Sequence, residues 1–95
     1  MKVVADLCIV PMGVGPSVSP YVKAIKAIVD ASPLRTEMHA NGTNIEGELA
    51  DICALVERCE AKLSAMGVQR VFCTMTFSWR HDKDQSMAEK LSAVS

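Results

Sequence analysis

The stretch that decides the fold is Leu34–Gly47, LRTEMHANGTNIEG. Its first half alternates Leu34, Thr36 and Met38 against Arg35, Glu37 and His39, the period of a half-buried strand from Leu34 to Ala40. Asn41-Gly42 then supplies the strongest short hairpin signal, because both residues tolerate positive φ. A return strand over Thr43–Gly47 follows, with Ile45 and Glu46 on opposite faces. A hairpin in the middle of a chain leaves one question: what flanks it on either side?

Upstream, Lys2–Pro11 reads as a strand with Val3, Ala5, Leu7 and Ile9 on an apolar face and Val4, Asp6, Cys8 and Val10 on a mixed one, ended by Pro11. After the loop Met12–Pro16, Ser17 and Ser19 bracket a helix start, with Pro20 tolerated in the first turn. That helix should run to Ala31, burying Val22, Ile25, Ile28 and Val29, and stop at Ser32-Pro33. Downstream, from Glu48, the stripe Leu49, Ile52, Cys53, Val56, Cys59, Leu63 and Met66 predicts a helix ended by Gly67. Gln69–Arg80 reads as the longest strand, with Val71, Cys73, Met75, Phe77 and Trp79 opposite Arg70, Phe72, Thr74, Thr76 and Ser78. Asp84–Val94 reads as a short helix with Met87, Leu91 and Val94 inward. The order is therefore α+β, a ferredoxin-like βαββαβ sandwich with an antiparallel four-stranded sheet and an extra C-terminal helix. Residues 1–95 form one domain in this reading.

Two helices on one face leave the other open, carrying Val4, Asp6, Cys8, Val10, Phe72, Thr74, Thr76 and Ser78, with Arg35, Glu37 and His39 beside them. Such a face is too apolar for bare solvent and too polar for a sealed core. Stacking against another copy, with room for a polar ligand, satisfies both descriptions. Composition points the same way: 49% of the 95 residues are hydrophobic but only 4% aromatic, more apolar surface than so small a domain readily hides. Ten basic and eleven acidic side chains give a net charge of -1, which argues against nucleic acid or an anionic membrane as partner. No apolar run approaches the ~20 residues that span a bilayer, and the charged start does not fit a signal peptide, so a cytoplasmic location is expected. Cys8, Cys53, Cys59 and Cys73 are then expected as free thiols, mostly buried, with no metal-binding spacing among them.

Three clusters could carry chemistry. Gly13–Ser19 offers backbone N–H groups, hydroxyls and a helix N-terminus, suited to an anionic or carbonyl group, although serine at such a place ordinarily caps the helix. No P-loop pattern is present. Glu46 aims a carboxylate at the open face, where it can accept from an amino-heterocycle, neutralise a cation or pair with another subunit. Glu48 is explained as an acid in a first helical turn. Trp79–Asp84 is a charged turn in which His81 lacks a nucleophile, so it reads as solvated and as orienting Arg80. His39 reads as a structural histidine. An acylphosphatase-like hydrolase is disfavoured because Met12–Val22 contains no Arg or Lys to cradle phosphate. A soft-metal carrier would need paired cysteines in that loop.

On Ile9–Gly13, Ser17–Val22, Gly42–Glu48, Gly67–Val71, Arg80–Lys83, Ser86-Met87 and Lys90, the chain resembles the thiamine-binding protein family over nearly its whole length. Gly-Thr-x-Ile-Glu-Gly, Gly42–Gly47, is the most specific of these motifs. The resemblance implies a homotetramer, a dimer of dimers, that binds thiamine or its hydroxymethylpyrimidine half without turnover and carries no cofactor. It assigns ligand contacts to Ser17, Ser19, Thr43 and Glu46. Trp79 and Arg80 complete the candidate set; where the family has an acidic pair before the arginine, this chain has Ser78-Trp79, so Trp79 would offer a stacking face. The competing expectation is a homo-oligomer with a structural role and no ligand.

Overall fold

A computed structural model describes all residues, 1–95. The elements are β1 Lys2–Met12, α1 Ser19–Ala31, β2 Arg35–His39, β3 Gly42–Glu48, α2 Leu49–Ala65, β4 Arg70–Ser78 and α3 Met87–Ser92. All pairings are antiparallel and the strand order is β2-β3-β1-β4. This is the α+β ferredoxin-like plan with an added C-terminal helix, as the hairpin and its flanks predict.

Strand parity sorts the core. Val3, Ala5 and Leu7 of β1 and Ile45 of β3 meet Ile25 and Val29 of α1 and Ile52, Leu55, Cys59 and Leu63 of α2. On α2 the buried stripe runs through Leu55 and not Cys53, which is exposed. The spacing 52, 55, 59, 63 is the one that keeps to a single face at 3.6 residues per turn. Gly67, at φ +83°, reverses the chain after α2 while Val68 N–H donates to Leu63 O at 3.1 Å.

Several local expectations are corrected. β1 does not stop at Pro11 but continues to Met12 paired with Arg70, and with eleven residues it, not β4, is the longest strand. The hairpin turn falls on Ala40-Asn41, neither at positive φ, and Gly42 already pairs with His39 in the ladder. Glycine is needed at 42 for closeness instead: a Cβ there would stand 2.8 Å from Leu7 O. Only Cys59 of the four thiols is buried; Cys8 is half-buried and Cys53 and Cys73 are exposed. Leu91 and Val94 point outward, 61% and 84% exposed, leaving Met87 as the inward residue of α3. In α1, Ile25 and Val29 are buried, Ile28 is half-buried, and Val22 is exposed.

The open face is partly covered. Val4, Glu46 and Ser78 form one row across β1, β3 and β4, and α3 is tied to both ends of it. Met87 N–H donates to Glu46 Oε2 at 2.8 Å, and Lys90 Nζ to Ser78 Oγ at 3.0 Å. The remainder of that face, including Val10 and Phe72 (61% exposed), is uncovered.

Candidate functional site

Two concavities lie at opposite ends of the sheet. The first arises because β1 outruns β3: their pairing ends at Leu7 with Thr43, whereas β1 pairs with β4 as far as Met12. Beside that overrun is a half-enclosed cavity of about 270 Å³. Leu7, Ile9 and Pro11 line its floor, Val18, Val22 and Ile25 of the α1 end its roof, and the hairpin tip from Met38 to Thr43 its side. The walls are predominantly apolar, with Thr43 (6% exposed), His39 and Asn41 as the side-chain polar groups. A concave apolar pocket with a few placed polar groups is the usual form of a small-molecule site.

His39 and Asp6 form a pair at this tip. Asp6 Oδ1 lies 2.8 Å from His39 Nε2, reaching across the sheet over Gly42, where no side chain intervenes. Asn41 N–H donates to His39 Nδ1 at 3.3 Å, which assigns the Nε2–H tautomer to the neutral ring. His39 is therefore partnered, not lone. Asp6 on the mixed face of β1 and the bare Gly42 were the signals that could have revealed it.

Ser17 and Ser19 are exposed and flank Val18, the N-cap of α1, and neither side chain caps the helix. The capping expectation is thus corrected: the two serines flank Val18, which lines the cavity, and make no cap. Thr43 lines the cavity, but Glu46, three residues on, belongs to the opposite face of β3. The structure therefore brings Ser17, Ser19 and Thr43 toward one end and separates them from Glu46, Trp79 and Arg80.

At the other end Glu46 holds α3. Besides accepting from Met87, its Oε1 lies 3.4 Å from Arg35 Nε. Ser86 caps α3 reciprocally with Glu89. Trp79 stacks on Phe77 with ring centroids 5.8 Å apart and donates from Nε1 to His81 Nε2 at 3.2 Å. Arg80 forks onto Asp82, its Nε 2.8 Å from Oδ1, and the guanidinium hydrogen bond holds the Asp82 carboxyl below the usual aspartate range. The expectation of a solvated turn that orients Arg80 matches this geometry. Glu48 receives the N-terminal ammonium at 2.7 Å, which lowers its pKa. Burial raises the Cys59 thiol, and partial desolvation of the sulfur beside Cys8 raises that of Cys73 although the residue as a whole is exposed, disfavouring thiolate at both. No three His, Cys, Asp or Glu side chains are grouped to hold a metal ion, and no helix is long and apolar enough to cross a membrane.

The profile of the family described as thiamine-binding protein matches residues 5–95. A UPF0045 protein of Synechocystis sp. is 43% identical over 94 residues, covering 99% of this chain and 78% of its own. A UPF0045 protein of Eremothecium gossypii is 33% identical over 95 residues, covering 99% of this chain and 90% of its own. Among solved structures, a protein of Methanocaldococcus jannaschii superimposes with a TM-score of 0.88 at 34% identity, over 98% of this chain and 95% of that one. A Thermotoga maritima protein named for a role in thiamine biosynthesis or salvage superimposes with a TM-score of 0.85 over the full length of both chains; at 17% identity the likeness is one of fold.

Proposed function

The chain belongs to the thiamine-binding protein family, and on that premise we propose that it is a non-catalytic carrier or sensor of thiamine or its hydroxymethylpyrimidine half. The observation that carries this reading is the cavity at the hairpin tip. Its 270 Å³ lies near the lower end of the roughly 300–1,000 Å³ usual for small-molecule sites, a size that favours the pyrimidine half over the whole vitamin. Apolar walls suit the ring faces, and Thr43 supplies a hydroxyl within. Ser17 and Ser19 offer hydroxyls at the lip for the hydroxymethyl substituent or what replaces it.

Glu46 lies three residues from Thr43 along β3, roughly 10 Å at strand rise, and on the opposite face, the side of the sheet to which α3 is tied; Trp79 and Arg80 follow the end of β4. In this reading they stand outside the pocket, with Glu46 tied to α3 and Arg80 to Asp82. The protein acts as a single-domain subunit of a cytoplasmic homotetramer, a state supported by the uncovered apolar residues Val10 and Phe72 on the sheet face. No nucleic-acid or membrane partner is proposed.

Calorimetry and thermal-shift titration with thiamine and with 4-amino-5-hydroxymethyl-2-methylpyrimidine, each to millimolar concentration, test the binding claim. Saturable heat with a raised unfolding temperature is expected, and the pyrimidine alone should suffice. Absence of both signals with both compounds overturns the proposal in favour of a structural homo-oligomer. Light scattering at micromolar concentration tests the assembly, and a monomer there refutes it.

A further inference from the structure

Resting on the binding reading above, we propose that the cavity recognises its ligand through main chain: the N–H and C=O of Ile9 on the free edge of β1 hold the edge of a flat heterocycle that carries an amino donor beside a ring-nitrogen acceptor. Successive residues of a strand direct their N–H and C=O alternately to the two sides. Ala5 O accepts from Asn44 Nδ2 of β3 at 3.4 Å, and Leu7 O lies against Gly42 of β3, 2.8 Å from where a Cβ would stand. Odd-numbered residues of β1 therefore address the β3 side.

Pro11 gives the same parity independently. It sits inside the β1–β4 ladder, between Val10 paired with Phe72 and Met12 paired with Arg70. A proline is accommodated within a ladder when its nitrogen points away from the neighbouring strand, so its nitrogen faces the β3 side. Ile9, between Leu7 and Pro11, must then face that side as well.

There β3 is missing. The β1–β3 register ends at Leu7 with Thr43, and the hairpin turns away through Ala40-Asn41. Ile9 lines the cavity beyond the last β1–β3 pair, and none of the backbone hydrogen bonds made by turns and loops reaches it, so its donor and acceptor on that side are left without a β3 partner. A half-buried, unpaired main-chain donor and acceptor is uncommon, because each forfeits a hydrogen bond until something fills the space. A ring nitrogen beside an exocyclic amino group presents the complementary acceptor–donor pair in one plane. The cavity volume of about 270 Å³ suits a single ring.

Two measurements test this. Amide exchange followed by NMR on the free protein is expected to show the Ile9 N–H exchanging roughly a hundred-fold faster than those of Leu7 and Val10, as an unpaired group does. Addition of 4-amino-5-hydroxymethyl-2-methylpyrimidine should slow it and shift its resonance. Protection of Ile9 equal to that of Val10 in the free protein, or protection that grows with protein concentration as when a second copy pairs on the edge, overturns the inference.

In calorimetry, the same ring with hydrogen in place of the amino group should bind roughly ten-fold more weakly. Ile9→Pro, which removes the N–H facing the cavity but also trims the Ile9 side chain from the cavity floor, should cost at least a similar factor while keeping a cooperative unfolding transition, and the Ile9 amide shift above separates the two effects. If Ile9→Pro does not fold, the Ile9 amide shift in the wild-type titration decides. Binding of the pyrimidine with Ile9 unperturbed overturns this inference alone; no binding of the pyrimidine or of thiamine overturns the functional reading and this one with it.

Discussion

The two ends of the sheet handle their polar groups in opposite ways. At the α3 end, Glu46, Arg35, Ser78 and Lys90 are all engaged with one another or with the incoming helix, and a reciprocal Ser86–Glu89 cap completes the join. At the hairpin tip, β1 runs on past its partner, and two serines beside α1 cap nothing. The first arrangement is what a structural join requires, since a half-buried carboxylate without partners would be costly. The second leaves a strand end and an uncapped helix start beside an apolar hollow, the setting in which small-molecule sites are usually found. The contrast bears on Glu46: the carboxylate that strand parity aims at the open face accepts from Met87 N–H of α3 and lies 3.4 Å from Arg35 Nε.

Substitutions separate these roles. The largest effect is expected at the hairpin tip from Gly42→Val. A side chain there meets the Leu7 carbonyl and the Asp6–His39 pair, and overpacking of this kind costs about 3 kcal/mol. Denaturant unfolding should show the loss, and an unchanged midpoint would mean that β1 and β3 are not held so closely. Next comes Glu46→Gln, which weakens the acceptor of Met87 N–H and the contact with Arg35. About 1–2 kcal/mol is expected, confined to α3, where amide exchange should quicken while the pyrimidine affinity stays as in the wild type. A loss of affinity in that variant would return Glu46 to the ligand site.

Thr43→Val keeps shape and removes one hydroxyl from the cavity. Affinity for the pyrimidine should fall roughly five- to ten-fold with the β2–β3 hairpin intact. Equal affinity would place the polar recognition elsewhere. The smallest effect concerns pH. Arg80 keeps the Asp82 carboxyl ionised below its ordinary range, so whatever stability the pair contributes is present above that range and is lost as pH falls through the lowered value. The thermal-midpoint difference between the wild type and Asp82→Asn should therefore shrink on acidification. Because both groups are exposed, the difference is expected to be slight at neutral pH and reduced by salt.

Periodicity carried most of the fold. The alternation in β1, in Leu34–Gly47 and in β4, with two helical stripes between, places every main element within a few residues, because each pattern has a period that only one backbone geometry matches. Its errors share a cause. Cys53 in place of Leu55, Leu91 and Val94 turned inward, and Pro11 as a strand end all follow from local preference where a neighbouring element decides. Pro11 is the clearest case. Proline ends a strand that is paired on both sides but not one whose nitrogen faces an empty edge, and that edge is empty only because β3 stops short.

The site was less legible. Thr43 and Glu46 are linked by the motif Gly42–Gly47, yet the same period of two that builds β3 sends them to opposite faces, so adjacency in a motif does not make them neighbours in a pocket. The Asp6–His39 pair joins residues 33 positions apart and exists because Gly42 between them has no side chain.

What the amino-acid sequence determines by itself is therefore the order of elements, the faces of each strand and the surplus of apolar surface, since these depend on local period and composition. Only the tertiary structure decides where β1 outlasts its partner, which carboxylate is consumed by a helix and which backbone groups remain open. Those are properties of register between distant strands, and register is set by packing and by the space a residue such as Gly42 leaves, not by any pattern along one segment.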